Sequence, residues 1–144
     1  MVITSDTSFL FSLYGNDSHT PYATAWLSAV TAPIYISIFN DFELRNALRF
    51  AEFARRLDSG AAASHLVIFE SALSLGRIIL RPIRPTEILA EASRLSAAHT
   101  LTGGHRGFDL LHVAAANLIG ATHFLTFDAN QKKLAAKEGF IVPF

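Results

Sequence analysis

Short β-type segments that alternate with longer helical ones predict an α/β fold for this chain. Ile34–Phe39 and His123–Phe127 are rich in β-branched and aromatic residues, which is typical of strands, whereas Leu110–Ile119 is almost wholly apolar over a helical length. Parallel strands need crossover connections, and helices normally supply them on both faces of the sheet. We therefore predict a three-layer α/β/α sandwich with a central, mainly parallel sheet. Because the sequence contains no repeat or linker, we expect a single domain at residues 1–144.

The composition excludes several classes of protein. Hydrophobic residues make up 51% of the chain, yet no stretch is apolar for long enough to span a membrane and no basic segment marks a signal peptide. We expect a cytoplasmic protein whose surplus apolar surface is covered by a partner or a second copy. The absence of cysteine excludes disulfides and thiolate metal sites. Acidic and basic residues balance, so binding of nucleic acid would depend on local patches.

The N-terminal half predicts two strands, each followed by an acidic residue and a helix. The predicted elements are a strand at residues 2–4, a helix over Phe9–Tyr14, a helix over His19–Val30, the strand Ile34–Phe39, and a helix from about residue 40 to Leu57. Asp6 follows the first strand. Glu43 lies in the first turn of the helix after the second strand, a helix that Asn40 or Asp41 can cap.

The C-terminal half repeats the alternation. The predicted elements are a helix over Ser64–Leu75, an edge strand over Ile78–Ile83, a helix over Pro85–His99, the helix Leu110–Ile119, the strand His123–Phe127 and a last strand over Phe140–Val142. Gly120 is placed to end its helix in a left-handed conformation. Asp109 stands at the start of the apolar helix. Asp128 follows a strand, and Gln131 three residues later forms an approximate capping box with it.

Four acidic residues occupy positions that a parallel sheet would gather at one edge: Asp6, Glu43, Asp109 and Asp128. Helix capping or the helix dipole explains each of them singly. However, ligands of open α/β sheets bind outside the carboxyl ends of the strands, where these four residues would converge. Clustered carboxylates repel one another, and a divalent cation relieves the repulsion. An all-oxygen donor set favours Mg²⁺ or Mn²⁺, which would activate water and hold a phosphodiester.

Residues beside the acids are candidates for substrate binding. Arg106 can contact a substrate phosphate or be an ordinary loop charge, and the sequence leaves both interpretations open. Thr7 and Thr126 can hold a carboxylate or a water in place, although both also suit strand ends. His112 lies one turn beyond Asp109, but no histidine pair in this region has the spacing of a helical metal site.

Four segments together resemble the PIN-domain family, and within it the VapC-type toxins of bacterial toxin–antitoxin pairs. They are DTSFLFSLY at Asp6, FELRNAL at Glu43, GFDLLHVAAA at Asp109 and FLTFDANQKKLA at Asp128, and the resemblance covers nearly the whole chain. It implies a Mg²⁺-dependent endoribonuclease in which these four residues form the acidic cluster. It also implies a homodimer, an RNA substrate and a cognate antitoxin peptide bound across the active face.

Other hypotheses fit parts of the same pattern. A haloacid-dehalogenase-type phosphatase would have a second aspartate where this chain has Ser8, and also a downstream lysine that we cannot place. A phosphoacceptor receiver domain would need an acidic pair after its first strand. A non-catalytic interaction module of the same fold would use the four acids only as caps.

Overall fold

A single parallel sheet lies at the centre of the computed structural model, which describes residues 1–144. Its strands are β1 (Ile3–Ser5), β2 (Ile34–Ile36), β3 (Ile78–Leu80) and β4 (His123–Leu125). They lie in the order β3-β2-β1-β4, and every neighbouring pair is parallel. The predicted α/β fold is confirmed, and β3 occupies an edge of the sheet as predicted.

Seven helices cover the two faces of this sheet. They are α1 (Thr7–Tyr14), α2 (Thr20–Ser28), α3 (Ile38–Phe53), α4 (Ala61–Ser74), α5 (Pro85–Gly103), α6 (Gly107–Ile119) and α7 (Ala129–Lys137). Helices α1 to α4 share one apolar cluster with Leu125, while α5 to α7 share another with Phe124. The side chains of successive strand residues point to opposite faces of the sheet, so Phe124 and Leu125 of β4 are buried in the two different clusters. None of the helices is both long and apolar enough to cross a bilayer.

The start of α3 differs from the prediction, which continued β2 to Phe39 and placed the cap at Asn40 or Asp41. The N-cap is Ser37, which has an extended backbone and accepts a hydrogen bond from the backbone N–H of Asn40. Asn40 in turn accepts one from the backbone N–H of Ser37 at 2.9 Å, which completes a capping box. Ile38 and Phe39 are therefore helical despite their β propensity, because the cap determines where the helix begins.

Three boundaries in the C-terminal half are also informative. Helix α6 begins at Gly107, so Asp109 lies inside its first turn rather than ahead of the helix. Gly120 ends α6 with a φ of 72°, as predicted. The predicted last strand is reduced to one bridge between Ile141 and His123, so the chain closes against β4 without a full fifth strand.

The strand order defines where a ligand can bind. The chain passes from β1 to β2 to β3 on one side of the sheet and then returns to place β4 on the other side of β1. The direction of winding therefore switches between β1 and β4, and open α/β sheets bind ligands in the crevice at such a point. The residues that follow these two strands lead to Asp6 and Asp128.

Candidate active site

Asp6 is the most deeply buried acid of the predicted set, with 3% of its surface exposed. It caps α1 by accepting the backbone N–H of Phe9 at 3.1 Å, and its carboxylate also accepts the hydroxyls of Ser8 and Thr126. Burial raises the pKa of Asp6, and these three hydrogen bonds offset only part of the effect. A carboxylate in such surroundings gains strongly from a nearby cation.

Glu43 lies in the second turn of α3 and contacts Thr7, the first residue of α1, which directly follows Asp6. One of its oxygens, Oε2, accepts the hydroxyl of Thr7 and the Nε2–H of His112, the latter at 2.5 Å. Partial burial raises the pKa of Glu43, but the interactions with His112, the hydrogen bond from Thr7 and the charge of Arg106 together outweigh it and leave the pKa below its usual range. Glu43 is therefore ionised at neutral pH and held in one position.

A buried chain of hydrogen bonds fixes the tautomer of His112. The amide oxygen of Asn40 accepts from Ser37, so its nitrogen Nδ2 faces the backbone carbonyl of Ser5 at 2.9 Å and Nδ1 of His112 at 3.1 Å. An amide nitrogen only donates, so Nδ1 of the ring must accept and the proton lies on Nε2. The cap of α3 thereby directs the imidazole N–H at Glu43.

Asp109 and Asp128 share the side chain of Arg106. Nε of Arg106 donates to Oδ2 of Asp109 at 3.1 Å, and its Nη2 lies 4.0 Å from Oδ2 of Asp128. The hydrogen bond to Asp109 raises the pKa of Arg106, whose side chain is nevertheless 78% exposed. The guanidinium therefore offsets the charge of two acids of the set while its side chain remains exposed to solvent.

Asp128 also caps α7, and this part of the capping prediction is confirmed. Its side chain accepts the backbone N–H of Gln131 at 2.8 Å. The reciprocal half of the capping box is missing, because the Gln131 side chain donates instead to the backbone carbonyl of Asp109 at 3.0 Å. Gln131 thereby ties the start of α6 to the start of α7, and with it the two acids.

The structure brings all four acids to one cleft of about 380 Å³, together with Thr7 and Arg106. No three acidic or histidine groups converge closely enough to hold a metal ion in this arrangement. The reason is visible in the contacts: each carboxylate is satisfied by hydroxyl, imidazole, backbone or guanidinium donors. The donor chemistry nevertheless fits a hard divalent cation, because each of the four acidic side chains offers carboxylate oxygens.

Sequence reasoning missed several residues that shape this cleft. His112 was weighed only as a metal ligand, although a lone polar side chain in an apolar helix is a signal for a buried polar partner. Ser8 donates to Asp6 at 2.7 Å and accepts the backbone N–H of Phe127 at 3.1 Å, linking β1 to the end of β4. His19, which enters the cleft from the loop before α2, gave no signal in the sequence.

A parallel sheet with an acidic cleft at its switch point is typical of the open α/β folds that bind ligands at that place, and a sequence comparison makes the class specific. The PIN-domain family model matches residues 3–137, so the chain belongs to the PIN-domain family. This family is generally metal-dependent. Membership excludes the dehalogenase-type and receiver-domain hypotheses. No curated protein sequence matches the chain at a significant level.

Solved structures similar to this chain include toxins and toxin–antitoxin complexes. VapC20 of Mycobacterium tuberculosis, a toxin that cleaves the sarcin–ricin loop, aligns with a TM-score of 0.71 at 18% identity over 96% of both chains. VapBC2 of Rickettsia felis, bound to a promoter DNA fragment, aligns with a TM-score of 0.66 at 18% identity over 99% of this chain and 97% of that chain. A toxin–antitoxin complex of Klebsiella pneumoniae gives 0.64 at 17% identity, with 99% and 98% covered. At these identities the likeness shows the fold.

Proposed function

We propose that this chain is a metal-dependent endoribonuclease, the toxin of a type II toxin–antitoxin pair. The observation that carries the proposal is the position of four carboxylates from four separate parts of the chain in one cleft at the switch point of the sheet. The fold similarity to VapC20 and to a toxin–antitoxin complex supports it. The similarity to a toxin–antitoxin complex also supports a cognate antitoxin as a partner. A homodimer is proposed as the assembly because the structure leaves large apolar side chains exposed.

The proposal assigns a part to each residue of the cleft. Asp6, Glu43, Asp109 and Asp128 would hold Mg²⁺ or Mn²⁺, which suit oxygen ligands. When bound there, the ion would supply Lewis acidity to the phosphodiester and lower the pKa of the attacking water.

The chain's own contribution is orientation and charge. Thr7 and His112 hold Glu43 ionised in a fixed position. Ser8 and Thr126 fix the positions of the Asp6 oxygens through hydrogen bonds. Arg106, exposed beside the acids, is the group suited to contact a substrate phosphate, and its planar fork matches phosphate oxygens.

Cleavage of total RNA by the purified chain is the direct test. We expect cleavage with Mg²⁺ or Mn²⁺, none in EDTA, and recovery when the metal is restored. Asp6→Asn and Asp128→Asn should each lower the rate by orders of magnitude, because each removes a charged ligand. Asp58→Asn, prepared in parallel, changes an exposed acid outside the cleft and should cleave like the wild type. Retained cleavage by Asp6→Asn and Asp128→Asn prepared in the same way would reveal a contaminating nuclease.

Thermal stability tests the metal site without relying on activity. A ligand that binds only the folded state raises its melting temperature, so Mg²⁺ should stabilise the wild type and stabilise Asp6→Asn much less. In EDTA, Asp6→Asn should melt at the same or a higher temperature, because burial disfavours the ionised carboxylate that it replaces. Intact RNA together with an unchanged melting temperature in Mg²⁺ would leave a non-catalytic interaction module as the function.

A further inference from the structure

A stack of three aromatic rings runs from the core of the protein into the cleft. The ring of Phe9 is fully buried. Its centroid lies 5.7 Å from that of the Phe127 ring, and the two ring planes differ by 23°. Phe127 in turn lies 4.4 Å from the imidazole of His19 at 14°. His19 is exposed and lines the cleft, so the stack ends in an aromatic ring at the cleft surface. Neither the acidic cluster nor its hydrogen bonds account for this arrangement.

The outer ring is held in place by its own loop. Oδ1 of Asp17 accepts the backbone N–H of His19 at 2.8 Å, and Oδ2 of Asp17 accepts the hydroxyl of Ser12 on α1 at 2.8 Å. Phe127 packs against Phe144 as well, with ring centroids 4.9 Å apart. We call His19 and the Phe127 ring behind it the platform. These contacts hold the platform in place before any ligand arrives, which lowers the entropic cost of binding to it.

The charges around the platform favour a neutral ring over a phosphate. The Asp17 carboxylate lines the cleft beside His19 and would repel an anion there. The cleft has two arginines, Arg56 and Arg106. Arg106 lies at Asp109 and Asp128, and the Arg56 guanidinium lies over the ring of Phe50, 5.9 Å from its centroid. A base suits the platform because every base has a flat π face, and aromatic side chains bind unpaired bases in this way.

We propose that His19, backed by Phe127, stacks one unpaired base of the RNA substrate. Phe127 and Asp128 are consecutive residues whose Cα atoms are about 3.8 Å apart, so the base belongs to a nucleotide close to the phosphate held at the acids. The inference rests on the proposed nuclease function and adds to it the requirement that the substrate is single-stranded at this position. Inside a duplex, both faces of a base are covered by the neighbouring base pairs, so neither face is available to the ring.

Binding of a fluorescent RNA in EDTA tests the platform separately from cleavage. The probe is a short single-stranded RNA that carries one 2-aminopurine, whose fluorescence falls when the base stacks. We expect quenching by the wild type. His19→Ala should lose the quenching and bind roughly 5- to 150-fold more weakly, the range expected for one stacked base. His19→Phe, which keeps a flat ring, should retain both, and the same probe in a duplex should neither bind as tightly nor be quenched.

The variants are suited to this comparison because His19 makes no side-chain capping bond to α2, so its replacement should leave the fold intact. His65→Ala changes a histidine of α4 outside the cleft and serves as the matched control, with binding unchanged.

The proposal is overturned by a wild type that does not quench the probe, by His19→Ala binding as tightly as the wild type, or by His19→Phe losing as much as His19→Ala. The nuclease function fails on a different result, which is intact RNA in Mg²⁺ or Mn²⁺ whatever these variants bind.

Discussion

Arg106 is in direct competition with any cation that enters the cleft. Its guanidinium donates a hydrogen bond to the carboxylate of Asp109 and lies within ion-pair distance of the carboxylate of Asp128. A divalent ion bound by the same carboxylates must displace it. The residue therefore has opposite effects on metal binding and on catalysis in the proposed function, and this opposition can be measured.

We expect Arg106→Ala to bind Mg²⁺ more tightly in calorimetry and yet to cleave RNA more slowly, because a competing cation and a phosphate contact are lost together. Arg106→Lys should restore cleavage only in part, since lysine lacks the bidentate fork. The melting temperature should change little, because an exposed ion pair contributes about 0–1 kcal/mol. Arg84→Ala removes an ion pair with Glu87 outside the cleft and is the control. Unchanged metal affinity and unchanged cleavage would make Arg106 an ordinary loop charge.

His112 acts on Glu43 through a single N–H, and two substitutions separate that contact from packing. In His112→Gln, the amide nitrogen can reach Glu43 and donate a hydrogen bond as Nε2 does. In His112→Asn, the side chain is too short for that, and its amide oxygen can only replace Nδ1, which accepts from Asn40. Both leave a similar void around a side chain that is 2% exposed. Loss of a group that orients a metal ligand typically costs roughly 10–100-fold in metal affinity or activity.

We therefore expect His112→Gln to exceed His112→Asn in both RNA cleavage and Mg²⁺ affinity, at similar melting temperatures. Single-turnover cleavage, metal titration and thermal unfolding would be measured on the same preparations. If cleavage followed the melting temperature alone, His112 would have only a packing role.

The acids were predictable from the sequence, whereas the partner of Glu43 was not. Asp6 and Asp128 each follow a segment that predicts a strand, so a parallel sheet implies their shared edge. His112 and Glu43 are 69 residues apart, and their contact depends on how α6 packs on α3. Periodicity predicts which face of a helix is buried, but it does not predict which residue of another helix that face meets.

At the scale of elements, capping rather than strand propensity decided the boundaries. Residues 34–39 have a sequence typical of one continuous strand, yet the capping box between Ser37 and Asn40 ends β2 at Ile36. The consequence reaches the site, because Asn40 becomes the residue that fixes the tautomer of His112. A strand that continued to Phe39 could not have placed it there.

A second polar network joins α5, α6 and the end of α7 away from the cleft. Glu138 accepts hydrogen bonds from His99 at 2.7 Å, Arg94 at 2.9 Å and Asn117 at 3.2 Å, and its side chain is only 13% exposed. Burial raises the pKa of Glu138, but these hydrogen bonds outweigh it and lower the pKa below the ordinary 4.5. The folded state thus favours the ionised form, which stabilises the protein above that pH.

We expect Glu138→Gln to lower the free energy of unfolding at neutral pH by roughly 1–3 kcal/mol, since a partly buried charged acceptor with three donors is replaced by a neutral amide. The deficit should shrink as the pH falls below 4.5, because the wild-type carboxylate then takes up its proton and loses the same stabilisation. Urea unfolding from pH 7 to pH 3 would measure it. Glu87→Gln, in an exposed pair with Arg84, should have little effect at any pH. A deficit independent of pH would assign the loss to packing.

At the scale of the whole molecule, the apolar surplus noted in the composition lies partly on α3. Phe53 is 81% exposed, and Phe42 and Phe50 on the same helix are also exposed. Trp26 on α2 is half-buried, and its ring packs edge-to-face on that of Phe9 with centroids 6.2 Å apart. Exposed apolar patches of this kind mark interaction surfaces, and structures similar to this chain were solved as toxin–antitoxin complexes.

We predict that the exposed face of α3 mediates self-association of the purified chain. Phe53→Ser should weaken it, because the most exposed ring of the patch would no longer be removed from water on assembly. Sedimentation velocity over a range of concentrations would show the wild type forming dimers and the variant shifting towards monomers at an unchanged melting temperature. Leu101→Ser provides the matched control: its side chain, near the end of α5, is 100% exposed and lies on another helix. If both substitutions changed association equally, general surface hydrophobicity and not the α3 face would be responsible. A wild type that stayed monomeric at every concentration would contradict the predicted homodimer and leave the α3 face to a different partner.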